Sequence, residues 1–228
     1  MKIGIIGSGN MGRAVGVRLS RIGHEVKFGA RRIEQAQAAA DLAGSGASFG
    51  SNDDAAEFGE VLIWTIRAPE PESVFKDAGV LHGKILLDLN NRDYANEVKG
   101  GAWFDSAIGE RLQAAAPAAK VVKALNTIAM EAFDTSPERL RAAGAQTFFA
   151  GDDAEAKAIV AQIVQDLGFE AVDLGAGPAA MRATEALGDV IRLLMIDGAH
   201  GGTAHLTLGN LPSPDLETIG ARQKSAYH

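Results

Sequence analysis

Short apolar runs alternate along this chain with stretches of helical period. Residues 2–7 (KIGIIG) form a β-branched run bounded by glycine and predict a buried strand. Residues 10–22 predict a helix: Val15, Leu19 and Ile22 share a face, and Gly23 ends it. Residues 25–29 read as a second strand and 33–42 as an alanine-rich helix. Residues 61–66 and 84–89 are further buried strands, with a helix expected between them after Pro71. Strands follow at 121–125 and 146–150, with a helix start at Ser136-Pro137 between them. Asp152 and Glu155, three apart, open a long amphipathic helix expected to end near Gly168, and 169–174 is the last strand. After Pro178 the chain turns helical. Met181, Thr184, Leu187, Ile191 and Leu194 recur on one face, which must pack on the sheet or on a partner subunit. From Gly209 the apolar periodicity fades into an extended tail. No internal repeat, low-complexity block or flexible linker interrupts the pattern.

Repeated strand–helix alternation predicts a parallel sheet covered on both faces. The first strand–helix junction carries Gly7, Gly9 and Gly12 as GxGxxG within IGIIGSGNMGRAVGVRL. After a strand and at the start of a helix, this motif is the fingerprint of a dinucleotide site. Gly7 permits the tight turn, Gly9 lets the backbone approach a pyrophosphate, and Gly12 lets helix and strand pack closely. The amides of Ser8, Gly9, Asn10 and Met11 then face an anion at the positive end of a helix. The fold class expected is therefore α/β, a doubly wound parallel sheet of the Rossmann NAD(P)-binding type with a small C-terminal helical part. The expected division is an NADP-binding domain over 1–175, a helical part over 176–208 completing the substrate pocket or a dimer contact, and a tail over 209–228.

The end of the second strand selects the nucleotide. An NAD site places Asp or Glu there, bonded to the ribose 2′-hydroxyl. Here VKFGARR puts Gly29 and Ala30 at that place, followed by Arg31 and Arg32. A carboxylate would repel a 2′-phosphate, whereas guanidinium groups grip it with charge-assisted hydrogen bonds. NADP is the cofactor this pattern predicts; the alternative is a pair of arginines merely solvated at a helix start. Ligands of doubly wound sheets lie beyond the carboxyl ends of the strands. That rule nominates Thr65, Ile66 and Arg67, then Asn90 and Asn91, then Ala124, Asn126 and Thr127 from VVKALNTI, as the path from pyrophosphate to nicotinamide. Arg67 reads either as an anion contact or as a surface charge, and Asn126 either as a ligand group or as a turn residue satisfying its own backbone.

Composition narrows the partners. The net charge of −7 argues against broad attraction to nucleic acid, and the absence of cysteine removes disulfides, thiolate metal ligands and a cysteine nucleophile. The N-terminal apolar run breaks into glycines too early for a signal peptide, and no stretch approaches the length of a membrane span. A cytoplasmic location is expected. His200 and His205 lack a third ligand, so no metal is expected. His24 reads as structural and Trp64 and Trp103 as packing residues, with Trp64 close enough to a strand end to touch a ligand. Ser8 lies in the nucleotide turn rather than a nucleophile elbow. Glu185, Asp189 and Asp197 read as the polar face of one helix.

The chain resembles the NADPH-dependent reductases of the deazaflavin coenzyme F-420 (F-420H2:NADP oxidoreductases) and the related reductase domain of STEAP-type metalloreductases. The matching segments are IGIIGSGNMGRAVGVRLSRIGHEVKFGARR, VVKALNTI, and FFAGDDAEAKAIVAQIVQDLGFEAVDLGAGPAAMRATEAL with the hydrophobic helix after it. The resemblance implies a compact Rossmann domain, often a homodimer, with pyrophosphate at Ser8–Met11 and the 2′-phosphate among Ala30, Arg31 and Arg32. It places Thr65–Arg67 and Asn126 beside the nicotinamide, with a deazaflavin or flavin-like ring stacked on it near 125–129. The loop NRDYANEVKG and the tail from Gly209 depart from the family pattern. Such hydride transfer needs positioning rather than a dedicated acid or base, because the cofactors carry the chemistry. Two rivals remain: an imine reductase of pyrroline-5-carboxylate reductase type, and a non-enzymatic NADP-binding redox sensor. β-Hydroxyacid dehydrogenases are disfavoured, since residues 178–198 hold no lysine.

Overall fold

The structure, a computed structural model, describes residues 1–44, 46–101 and 105–210. The tail expected over 209–228 therefore falls almost wholly outside the described residues, as does Trp103. Eight strands form one sheet in the order β3-β2-β1-β4-β5-β6-β7-β8. They are β1 (Lys2–Ile6), β2 (Glu25–Gly29), β3 (Ala47–Gly50), β4 (Val61–Trp64), β5 (Ile85–Asp88), β6 (Lys120–Lys123), β7 (Gln146–Gly151) and β8 (Glu170–Asp173). The helices are α1 (Asn10–Arg21), α2 (Ile33–Ala43), α3 (Asn52–Phe58), α4 (Ile108–Ala115), α5 (Pro137–Ala142), α6 (Ala154–Asp166) and α7 (Gly177–Ile196).

The sheet buries both faces, which is why its central strands are mainly apolar. On one face Ile3, Ile5 and Ile63 pack against Val15 and Leu19 of α1, Ala36 and Ala40 of α2, and Val160 and Ile163 of α6. On the other, Ile6, Leu62 and Trp64 pack with Ala55 of α3, Leu112 of α4 and Met181 of α7. Trp64 is fully buried beside Phe75, with ring centroids 5.8 Å apart, so its role is packing. The chain is doubly wound as expected, with the reversal between β1 and β4 where ligands of such sheets bind.

Three elements differ from the sequence reading. One pairing is not parallel: β6 and β7 run antiparallel, while β7 and β8 are parallel. The apolar pattern of a strand carries no local mark of its direction. No α-helix follows Pro71; the segment makes only short 3-10 turns at Pro71–Ser73 and Ala78–Leu81, since Pro69, Pro71, Gly79 and Gly83 deny it a continuous helical run. The cap of α6 is Asp153, whose side chain accepts from the Ala156 amide, and Asp152 instead accepts from the Gly177 amide at the start of α7. Ser136 caps α5 as read, accepting from the Arg139 amide. β3 and α3 were not read at all. The signal for α3 was present as Ser51-x-x-Asp54, which forms a reciprocal capping box. Among the described residues no helix is long and apolar enough to cross a membrane.

Candidate nucleotide and hydride-transfer site

Each glycine of the turn has a separate physical role. Gly7 sits at φ +96°, a left-handed conformation that side chains resist. A Cβ on Gly12 would collide with the Gly7 carbonyl oxygen and lie 2.9 Å from Thr65 Oγ1, so helix and strand meet here only because the side chain is absent. Nothing lies within 4 Å of a Cβ built on Gly9, which faces open space. Thr65 Oγ1 lies 2.6 Å from the Gly7 carbonyl and 3.1 Å from that of Ile6; it braces the turn from below instead of pointing into the site. Ser8 Oγ donates to the Gly29 carbonyl at 2.9 Å, tying the turn to the end of β2. Helix α1 begins here with no side-chain cap and no acidic residue in its first turn, leaving its leading N–H groups available to an anion.

Above this turn lies a cleft of about 930 Å³. Gly7, Ser8, Gly9, Ala30, Arg31, Arg32 and Ile66 line it, so seven of the nominated residues come together around one space. Neither the Arg31 nor the Arg32 guanidinium makes a hydrogen bond or ion pair among the described residues, and both side chains are exposed. Sequence reasoning missed Gln35, Ser51, Asn52, Asp53, Ala68, Ser73 and Val74 in the wall. Asn52 is buried, and its Oδ1 has no hydrogen-bond partner among the described residues. Asp53 is already engaged by the Lys76 amide at 2.9 Å. Asn10 lines an adjoining hollow with Arg13 and Arg32, while Met11 packs against the core.

Arg67 is exposed in the loop after β4. The remaining nominees, Asn90, Ala124 and Asn126, are buried at the ends of β5 and β6 and do not line the cleft. Asn90 is a brace: its amide donates to the carbonyls of Trp64 and Ile66 and to Asp88 Oδ1, at 2.8 to 3.2 Å. Asn126 Nδ2 donates to Thr184 O at 2.9 Å and to Asn91 Oδ1 at 3.1 Å, and Asn91 Nδ2 donates back to the Asn126 carbonyl at 2.7 Å. Asn126 Oδ1 is buried without a partner. Leu125, just before it, holds φ +59°. Thr127 turns inward to the Thr147 hydroxyl at 3.2 Å.

The polar face read for α7 is instead buried. Lys123 Nζ lies 2.8 Å from Asp88 Oδ2 and 3.0 Å from Glu185 Oε2, with all three side chains fully buried. Arg92, 2 % exposed, pairs with Asp189 Oδ2 at 2.7 Å and approaches Glu185 Oε1 at 3.7 Å. Only Asp197 of that trio is exposed, where it meets Lys99. Burial alone would lower the Lys123 pKa, but Asp88 and Glu185 outweigh it and hold the ammonium above its ordinary value. Burial pushes Glu185 and Asp189 up, against the pull of Lys123 and Arg92 respectively. Arg192 stacks on the Tyr94 ring at 5.0 Å and donates to the Arg92 carbonyl; burial lowers its pKa, with Arg67 adding repulsion. His200 and His205 are exposed, and no group of three or more metal-ligand residues occurs among the described residues.

Comparison with known proteins agrees with this geometry. Residues 2–92 match the family model described as NADP oxidoreductase coenzyme F420-dependent. Metalloreductase STEAP3 of Rattus norvegicus is 31 % identical over 186 residues, covering 82 % of this chain and 36 % of that protein. The chain spans about a third of the length of the curated relatives it matches. A candidate F-420-dependent NADP reductase from Arthrobacter sp. FB24 superposes with a TM-score of 0.75 at 28 % identity, covering 92 % of this chain and all of that one. An imine reductase from Myxococcus stipitatus in complex with NADP+ shares the fold alone, with a TM-score of 0.58 at 16 % identity over 87 % of this chain and 62 % of its own. Residues 2–92, with their glycine turn on a doubly wound sheet, thus carry a domain of the family described as NADP oxidoreductase coenzyme F420-dependent.

Proposed function

We propose that the chain transfers a hydride between NADP(H) and a deazaflavin such as coenzyme F-420, or a flavin-like acceptor. The observation that carries this reading is the pair of unengaged guanidinium groups, Arg31 and Arg32, in the wall of a cleft whose β2 end offers Ala30 instead of a carboxylate. The residues present fit the cofactor. Open space in front of Gly9 admits a pyrophosphate, and the first turn of α1 supplies amides. NADPH, when bound, supplies the hydride itself. Residues Ser8 to Met11 bind the pyrophosphate, Arg31 and Arg32 select the 2′-phosphate, and Asn126 with the strand-end backbone orients the nicotinamide half. Thr65 acts from beneath the turn, and Arg67 faces the acceptor side. No side chain is assigned as acid or base; positioning and exclusion of water suffice. The F-420 acceptor rests on the matched family model and the Arthrobacter structure, and a flavin on the STEAP similarity. A homodimer in the cytoplasm is part of this reading.

The test is a titration with NADPH and NADH, followed by NADPH oxidation with F-420, FMN, FAD and pyrroline-5-carboxylate in turn. Much tighter binding of NADPH than NADH, with turnover on F-420 or a free flavin, is the expected result. Equal affinities would overturn the 2′-phosphate assignment. Turnover confined to the pyrroline would make the chain an imine reductase, and tight binding without turnover would favour a sensor.

A further inference from the structure

A second hollow opens along α1. It is a groove of about 360 Å³, walled by α1, by Leu42 near the end of α2 and by the 3-10 turn Met130–Asp134 after β6. It shares no lining residue with the nucleotide cleft. Its size falls within the range of small-molecule sites, roughly 300–1,000 Å³.

Three guanidinium groups of α1 line this groove, from Arg13, Arg18 and Arg21. Arg13 makes no hydrogen bond or ion pair among the described residues. Arg18 is half-buried and commits only Nε, to the Phe133 carbonyl at 2.9 Å. Arg21 commits one terminal nitrogen, to the Leu42 carbonyl at 3.0 Å. These two bonds hold the side chains along the walls and leave their other donors without a partner among the described residues. A guanidinium has five N–H donors and cannot shed its charge, so donors held partly out of water favour an anion.

The rest of the lining decides what kind of anion. Val17 and Phe133 are buried, while Leu42 and Met130 stand 53 % and 38 % exposed. Exposed apolar side chains scattered singly need no explanation, but these two meet in one hollow beside unspent donors. An inorganic ion would use the arginines and leave that apolar surface wet. A charged group on an apolar body uses both. Glu131 and Asp134 also line the groove, so three cations face two carboxylates and the surplus is a single positive charge. A polyanion would meet those carboxylates as like charges.

We propose that this groove is a second ligand site, for a small amphipathic monoanion: one carboxylate or sulfonate on a short apolar body. The anionic group lies at Arg13 and Arg18, and the apolar body on Val17, Leu42 and Met130. Asn10 and Arg13 also line the hollow beside Ser8, Gly9 and Arg32, so the site adjoins the nucleotide turn. The chemistry of the groove is independent of which nucleotide the cleft holds.

The test is a fluorescence titration with anilinonaphthalene sulfonate, a monoanion on an aromatic body, with NADP+ in excess to keep the probe out of the nucleotide cleft. The wild type is expected to bind it saturably, with octanoate displacing it and inorganic sulfate at the same concentration leaving it bound. Arg18→Gln removes the charge and keeps an amide donor for the Phe133 carbonyl. Met130→Glu sets a carboxylate among the apolar contacts at an exposed position that the fold does not depend on. Each variant is expected to weaken the probe about tenfold or more, the worth of one charge-assisted hydrogen bond, with melting temperature and NADP+ affinity unchanged. Absence of saturable probe binding in the presence of NADP+ overturns the inference. So does wild-type probe affinity in both variants, or displacement by sulfate as effective as that by octanoate. Failure of NADP+ itself to bind would overturn the NADP reading instead, and the two variants would still decide the groove.

Discussion

Lys123 Nζ lies 2.8 Å from Asp88 Oδ2, and both side chains are completely buried at the ends of neighbouring strands. Glu185 of α7 closes the group at 3.0 Å from the same nitrogen. One ammonium therefore serves two carboxylates brought from β5 and α7. Removing it strands both. Lys123→Met is expected to destabilise the protein by about 3–5 kcal/mol, the usual consequence of breaking a buried pair from one side. Urea unfolding checks it; a loss below about 1 kcal/mol would mean that water or a rearranged Arg92 compensates.

Gly9 and Gly12 should respond in opposite ways to the same small change. At Gly12 a methyl group meets a main-chain carbonyl that has nowhere to go, so Gly12→Ala is expected to lower stability by about 1–3 kcal/mol. At Gly9 the φ of −71° suits any residue and the space is open. Gly9→Ala should keep its melting temperature yet bind NADPH poorly, because the methyl group occupies the approach to the pyrophosphate. Thermal unfolding and NADPH titration on both variants separate the two effects. Equal loss of stability would refute the assigned roles.

Arg31 and Arg32 have no partner to lose among the described residues, so replacing them should leave stability alone. The double variant Arg31→Ala/Arg32→Ala is expected to bind NADPH roughly 10–100-fold more weakly, the worth of a charge-assisted hydrogen bond or two, with NADH affinity unchanged. A parallel fall for both nucleotides would place the arginines on a shared part of the cofactor.

His24 predicts part of the pH dependence of stability. Burial, followed by repulsion from the N-terminal amino group, lowers its pKa below 6.5 in the folded protein; Asp166, 3.3 Å away, opposes the shift without cancelling it. The unfolded chain then takes the proton more readily. The contribution is fully present above the unfolded value of 6.5 and is lost as pH falls from there through the folded pKa. In His24→Gln the unfolding free energy should vary less with pH across that window. An unchanged slope would assign the dependence to other groups.

Much of the nucleotide half was legible before any coordinates. Gly7 and Gly9 of the turn, the end of β2 at Ala30, and the two arginines all line the cleft, while Gly12 packs against the Gly7 carbonyl beneath it. The wall from α3 was missed although Ser51 and Asp54 carried a capping signal, because a helix of seven residues shows too little periodicity to stand out. Asn90 was rightly expected at a strand end, but its amide is consumed by the Trp64 and Ile66 carbonyls. Glu185 and Asp189 were read as part of the polar face of one helix and proved buried. Their neutralising partners, Lys123 and Arg92, are remote in sequence, with Arg92 and Asp189 separated by 97 residues.

The sequence by itself determined the half of the site that is built locally. Strand, glycine turn, helix and second strand follow one another without interruption, so backbone sterics and one pair of charges were enough to announce a phosphate site and to favour NADP. Only the tertiary structure decided the polar cluster at the ends of β5 and β6. There Asn91, Asn126, Thr184 and Gly188 meet from three separate segments, and whether an amide offers a donor or an acceptor depends on which neighbours have already claimed the rest of it. The same holds for the charges on α7. A carboxylate on a helix face is solvated unless a cation arrives from elsewhere in the chain, and that arrival is a property of packing, not of spacing.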